Sequence, residues 1–336
     1  MIYRSRDSKA VSAWIRDCRG AYTHGGETVC AGFFLYRGFV GCPAWAAGKP
    51  CSYCYLKTTF RTDPELRKGV AWVDQHPFRS VYDSVDNARA AVENWLQRGR
   101  SCAICSVWPC QGHSHLLREA VVCEKYRPML LDAGELADSL GLSPDENPHI
   151  AMLLDLFSSP ETNPHGHKLL LVTKAGLEAT QAHLEPHAPS RNVILSWSVG
   201  DGGDMEPYWP YVSERGGRLD AAGWAQQQGW RVRLRIDPIT TNDDLSLHRH
   251  VREILGAPPC VFRLDKLDCL TLGALRHRGG RQKETAEYRA AVYGEVVHTA
   301  RYSGYEGPIG LCKETPEMIR DVLEIKPGEM RCNCLP

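Results

Sequence analysis

Six apolar runs of strand length, with helix-periodic segments set between and after them, constrain this chain more than any other feature. The runs are GFFLYRGFV, RPMLLDAGE, KLLLVTK, NVILSWSVG, WRVRLRIDP and DCLTLGALR. The helical segments are DNARAAVENWLQRG, HIAMLLDLFSS, AGLEATQAHLE, RLDAAGWAQQQG, LSLHRHVREILG and ETAEYRAAVYGEVV. In the first of these, Ala88, Ala91, Val92, Trp95 and Leu96 fall on one helical face. A crossover helix is the ordinary way to join parallel neighbours, so the alternation predicts an α/β fold built on a parallel sheet. The expected architecture is an open or partial (β/α)6 barrel, whose chemistry gathers at the carboxyl ends of the strands. Those ends carry Cys42, Gly134, Glu135, Lys174, Ser196, Ser198, Asp237 and Arg276.

The totals narrow the function classes. The 336 residues can bury a large core without a structural staple. Forty Lys and Arg balance forty Asp and Glu, so a polyanion or an anionic membrane would have to be met by a local patch. The compact basic run is LRHRGGRQK, with Arg276, His277, Arg278 and Arg281. No stretch approaches the roughly 20 apolar residues of a membrane span, and MIYRSRDSKA lacks a signal peptide's apolar segment. A soluble, cytoplasmic protein with no membrane partner is expected. Fourteen cysteines in such a chain argue for metal rather than disulfides, because a reducing compartment keeps thiols free.

Three of those thiols stand in GCPAWAAGKPCSYCYLKTTFR: Cys42, Cys51 and Cys54. A CxxC pair can present two sulfurs to one metal centre, and a third thiolate completes three ligands. On tetrahedral zinc that leaves an open catalytic position. On a cubane iron–sulfur cluster it leaves one iron free. A redox dithiol needs no third cysteine.

The surrounding residues add a resemblance. CSYCYLKTT resembles the Cx-Tyr-Cys-Tyr-Leu-x-Thr-Thr segment of the spore photoproduct lyase family within the radical S-adenosylmethionine (SAM) enzymes. In order along the chain, LDAGELADSL, LLLVTK, VILSWSV, RIDP, LGALR, LCKET and a terminal cysteine pair are similar to features of the wider lyase-like group, over roughly residues 30 to 334. This resemblance implies a partial radical SAM barrel and a 4Fe-4S cluster on Cys42, Cys51 and Cys54, with SAM chelating the fourth iron. It implies reductive cleavage of SAM to a 5′-deoxyadenosyl radical that abstracts a hydrogen atom. Gly134 and Glu135 are similar to the GGE motif that receives the ammonium of SAM. Asp138, Lys174 and Ser198 match positions expected to face the cofactor, and Tyr53 and Tyr55 match tyrosines that relay a hydrogen atom in lyases. The chain departs from the family twice. Eight residues separate Cys42 from Cys51 where the family has three, and Glu135 stands in the place of the lyase's hydrogen-donor cysteine.

Two further cysteine groups remain. Cys102, Cys105, Cys110 and Cys123, with His113 and His115 in reserve, lie in an insertion at 99–127 that a zinc ion or an auxiliary iron–sulfur cluster would order. Cys312, Cys332 and Cys334 are candidates for a lid over the cluster or for auxiliary ligation. The expected organisation is an N-terminal arm at 1–28, a barrel at 29–310 and a cysteine-containing C-terminal segment at 311–336. The leading expectation is a lyase or isomerase of the radical SAM class acting on a thymine-derived nucleobase in DNA or a nucleotide, supplied with electrons by a flavodoxin or ferredoxin. The alternatives are a zinc-dependent hydrolase and a zinc-stapled nucleic-acid-binding protein.

Overall fold

The computed structural model describes residues 15–17, 23–24, 27–28, 34–39, 85–98, 128–134, 138–200, 215–239, 251–256, 261–274, 285–312, 314–326 and 329–335. Its centre is an eight-stranded sheet of β1 (Ile15–Asp17), β4 (Phe34–Tyr36), β5 (Leu130–Asp132), β6 (Lys168–Thr173), β7 (Val193–Ser198), β8 (Arg231–Ile239), β9 (Cys269–Ala274) and β10 (Ile309–Leu311), in that spatial order. The seven strands from β4 to β10 are parallel, and β1 pairs antiparallel with β4. The small β2 (Thr23–His24) and β3 (Glu27–Thr28) pair with each other. Among the described residues the helices include α1 (Val85–Arg98), α2 (His149–Ser158), α3 (Leu177–Leu184), α4 (Arg215–Gln227), α5 (Ala286–Tyr302) and α6 (Pro316–Leu323), and residues 251–255 are helical as well. Together they make an α/β half-barrel.

All six strand-length runs hold strands of the sheet. A seventh parallel strand, β10, and its follower α6 extend the six expected strands. IGL is too short to show a period, and the edge position of β10 needs only three residues. Residues 15–17, inside the segment expected as an arm, form β1, with Ile15 buried at the sheet edge.

The register separates two faces. Leu169, Leu171, Val193, Leu195, Trp197, Val232, Leu234, Leu270 and Leu272 alternate onto one side and join the main core against the helices. Each such side chain contributes roughly 1.5–3 kcal/mol by leaving water. α2 is apolar almost all round, with Ile150, Met152, Leu153, Leu154, Leu156 and Phe157 all buried, as a helix sandwiched in the core must be. The other face is the lumen of the half-barrel.

Buried polar contacts fix the strand ends. At the end of β4, Tyr36 Oη lies 2.7 Å from His149 Nδ1 at the start of α2. Burial lowers the His149 pKa to about 4, so the ring is neutral. At the other side, Glu314 accepts from Arg289 Nε at 3.0 Å and from Tyr293 Oη at 2.9 Å, while Tyr293 Oη accepts the Ala274 N–H at 2.8 Å. The LCKET glutamate is therefore a brace between α5 and the ends of β9 and β10.

Candidate functional site

Residues opposite one another in the register define rows across the lumen face. One row runs Val172, Ser196, Arg233 and Cys269, and the row above it contains Ser198, Arg235 and Thr271. Lys174 directly follows β6 and continues that upper row beside Ser198. The strict alternation of WRVRLRID produced this: its arginines point to one face and its Val, Leu and Ile to the other.

Gly134 follows β5 and presses directly on β6. A β-carbon there would stand 2.5 Å from Val172 Cβ and 2.6 Å from Val172 N, so only glycine fits. Its N–H donates to Asp132 Oδ1 at 2.8 Å. Asp138 does not point its carboxylate at open space. It accepts from Thr173 Oγ1 at 2.5 Å, from the Lys174 N–H at 2.9 Å and from the Leu140 N–H at 3.2 Å. Enclosure outweighs these donors and raises its carboxyl above the ordinary range. Asp138 thereby fixes the backbone from which the half-buried Lys174 extends.

Ser198 is held at the top of β7, its Oγ donating to the Asp237 carbonyl at 2.9 Å. On β8 Arg235 pairs with Asp237 at 2.5 Å, both side chains partly exposed. The Asp237 carboxylate lies over Gly273, where a β-carbon would come within 2.5 Å of its Cγ. The β8–β9 register shifts between Ile236 and Ile239, and this irregularity accommodates Pro238, which has no N–H for the ladder.

The lower row is tied to the C-terminal segment. Ser196 Oγ donates to Asn333 Oδ1 at 2.7 Å. Arg233 Nη1 donates to the carbonyls of Cys332, Asn333 and Leu335 at 3.3, 2.8 and 2.7 Å, and its Nε pairs with Asp268 at 2.5 Å. Cys332 lies against Gly310, whose β-carbon would meet Cys332 Cβ at 2.6 Å and the Arg331 carbonyl oxygen more closely still. The segment expected as a lid thus meets β7 at Ser196, β8 at Arg233 and β10 at Gly310, which pairs with Thr271 in the upper row. The buried Arg233 guanidinium gathers three of its carbonyls. Cys312 follows β10 and is half-buried, and Cys334 lies in the terminal segment. Among the described residues no three His, Cys, Asp or Glu side chains are grouped to hold a metal ion, so Cys312, Cys332 and Cys334 do not form such a set. Cys269 is 2% exposed, and burial pushes its thiol up to about 11.

Cys42, Cys51, Cys54, Tyr53, Tyr55, Glu135, Cys102, Cys105, Cys110, Cys123 and the run Arg276, His277, Arg278, Arg281 lie outside the described residues. The site brings together Gly134, Lys174 and Ser198, with Asp138 behind them. Arg233, Arg235 and Asn333 were not singled out from the sequence. The alternation of charge along β8 is the signal that could have found the arginines.

Solved structures with this architecture exist. A tyrosine-to-phenylalanine variant of spore photoproduct lyase matches with a TM-score of 0.50 at 14% identity. Cysteine-to-serine and cysteine-to-alanine variants of the same enzyme match with a TM-score of 0.50 at 15% identity. Each match covers 82% of this chain and 75% of that chain. The fold is shared with spore photoproduct lyase. No protein family profile and no curated protein sequence matches the chain. Among the described residues no helix is long and apolar enough to cross a membrane.

Proposed function

We propose that the protein is a radical SAM enzyme of the spore photoproduct lyase type, with a 4Fe-4S cluster on Cys42, Cys51 and Cys54. The observation that carries the reading is the arrangement of Gly134, Lys174 and Ser198 along one edge of the lumen. β4 runs to that same edge, and the sequence after it enters the loop bearing the three thiols.

The residues present fit the cofactors chemically. Three thiolates hold three irons and leave the fourth for SAM. Gly134 keeps the turn after β5 free of a side chain, so that a ligand can meet its backbone. Glu135 accepts the SAM ammonium, and Lys174 pairs with its carboxylate in charge-assisted contacts. Asp138 positions Lys174 through its backbone N–H. Ser198, its hydroxyl directed by Asp237, lines the adjoining wall. When bound, the cluster and SAM supply a one-electron cleavage that yields a 5′-deoxyadenosyl radical for hydrogen abstraction. Tyr53 and Tyr55 are the hydrogen-relay candidates of the cluster loop.

The substrate in this reading is a nucleobase in DNA or a nucleotide, approached by the basic run around Arg276, Arg278 and Arg281. A flavodoxin or ferredoxin supplies the electron. The insertion with Cys102, Cys105, Cys110 and Cys123 takes zinc or an auxiliary cluster. Glu135 in place of the donor cysteine argues for a rearrangement or modification rather than the lyase's own repair reaction.

The deciding experiment is iron and zinc analysis of anaerobically purified protein, combined with a SAM cleavage assay under strong reductant. Brown protein with about four irons per site and formation of 5′-deoxyadenosine are expected. Loss of iron in Cys51→Ala or Cys54→Ala is expected as well. Colourless, zinc-only protein that leaves SAM intact would overturn the reading.

A further inference from the structure

The lower lumen row and the C-terminal segment meet in a way that the cofactor reading does not use. Ser196 on β7, Arg233 on β8 and Gly310 on β10 all contact residues 331–335, so three strands of the sheet share one cover. Arg233 is 3% exposed and Asn333 2% exposed, so the contacts are interior. Met330 adds an anchor, its sulfur accepting the Leu311 N–H at 3.4 Å. Arg233 is further fixed from below by Asp268, which also pairs with Arg231 at 2.9 Å. Cys269 faces the lumen in the same row as Arg233.

We propose that residues 330–335 are the floor of the lumen and a specificity-determining element, with Asn333 as its positioning residue. This rests on the reading of the lumen as the reaction chamber. At β10 the floor reaches the upper row, because Gly310 pairs with Thr271. Over β7 it stands at Ser196, two residues below Ser198, which at the rise of a parallel strand is about 7 Å. The chamber above this part of the sheet therefore takes a group one ring deep, presented from the carboxyl edge by a larger molecule. A chain that would have to thread through the barrel is excluded from below. Asn333 sets this depth because its Oδ1 receives the Ser196 hydroxyl while its own carbonyl is held by Arg233. Among the described residues its Nδ2 has no hydrogen-bond partner, so there the amide acts through its acceptor end and its fit.

The test reads the floor directly, without iron or SAM. Full-length protein is treated with N-ethylmaleimide, and alkylation of Cys269 is followed by peptide mass spectrometry. Parallel samples carry a deletion of residues 331–336, or Asn333→Ala, Ser196→Ala or Asn333→Asp. Alkylation of Cys269 is expected to be at least tenfold faster in the deletion. In Asn333→Ala and Ser196→Ala it should rise about fivefold, the effect of one lost hydrogen bond of about 1 kcal/mol. Combining those two substitutions should add little. Asn333→Asp, which keeps an acceptor for Ser196, should return the rate to that of the unaltered protein. If the deletion does not fold, Asn333→Ala decides alone. Equal rates in Asn333→Ala and the unaltered protein overturn the proposal, as does failure of Asn333→Asp to restore protection. SAM cleavage by the unaltered protein is measured beside it. Its absence with the alkylation pattern intact sinks the cofactor reading and leaves the floor standing.

Discussion

Acidification should loosen the strand that leads into the cysteine loop, and the amount follows from one buried histidine. His149 is 1% exposed and hydrogen-bonded to Tyr36, with its pKa lowered from 6.5 to about 4 by burial. The unfolded chain therefore binds the proton more readily than the folded one between those values. Stability is full above the unfolded pKa and falls as the pH drops from 6.5 toward 4, where the loss levels off. Between pH 7 and pH 5 the linkage relation gives a loss of about 2 kcal/mol from this residue. Urea denaturation at both pH values measures it. His149→Gln keeps a polar group at the site but does not titrate. Its stability should change about 2 kcal/mol less over the same interval than that of the unaltered protein. His183, whose pKa burial also lowers, titrates in both proteins and cancels from the difference. An identical pH slope in the two proteins would refute the reasoning, and so would a flat profile in the unaltered protein.

Other expectations follow from single contacts. Glu314→Gln removes the buried carboxylate charge that pairs with Arg289, and chemical denaturation should show a loss of roughly 3–5 kcal/mol. A loss under 1 kcal/mol would mean that the brace is not electrostatic. Gly134→Ala forces a methyl group onto the Val172 backbone. It should cost about 2 kcal/mol and weaken SAM binding by calorimetry, while unchanged affinity would remove Gly134 from the cofactor site. Asp138→Asn gives up an acceptor for either the Thr173 hydroxyl or the Lys174 N–H. Thermal stability should fall by about 1–2 kcal/mol and SAM affinity should fall with it. A variant that loses affinity alone would place Asp138 against the cofactor directly.

The sheet was legible because its strands are buried on the helix side by unbroken apolar runs such as KLLLVTK and VILSWS. Their length and their β-branched content separate them from the helices. IGL was not legible, because three residues at an edge carry no period. The placement of candidate residues was legible where it is local to a strand end, as at Gly134, Lys174 and Ser198. It was illegible where partners are remote: Ser196 and Asn333 stand 137 residues apart, and Arg289 and Glu314 stand 25 apart across a helix and a strand. Asp138 was legible as a residue and not as a role, since only the structure shows its carboxylate turned to the backbone of Lys174.

β1 has a consequence for the shape of the chamber. By pairing with β4 it occupies the hydrogen-bonding edge that β10 would need to close the sheet into a ring. The circumference is therefore never locked by an inter-strand ladder, and the width of the mouth depends on how strongly the sheet coils. Coiling is a soft property, set by side-chain packing on the helix side. Among the described residues no ladder joins β1 to β10, so a bulky target can spread these two edges without breaking a backbone hydrogen bond between them, which a sealed barrel could not permit.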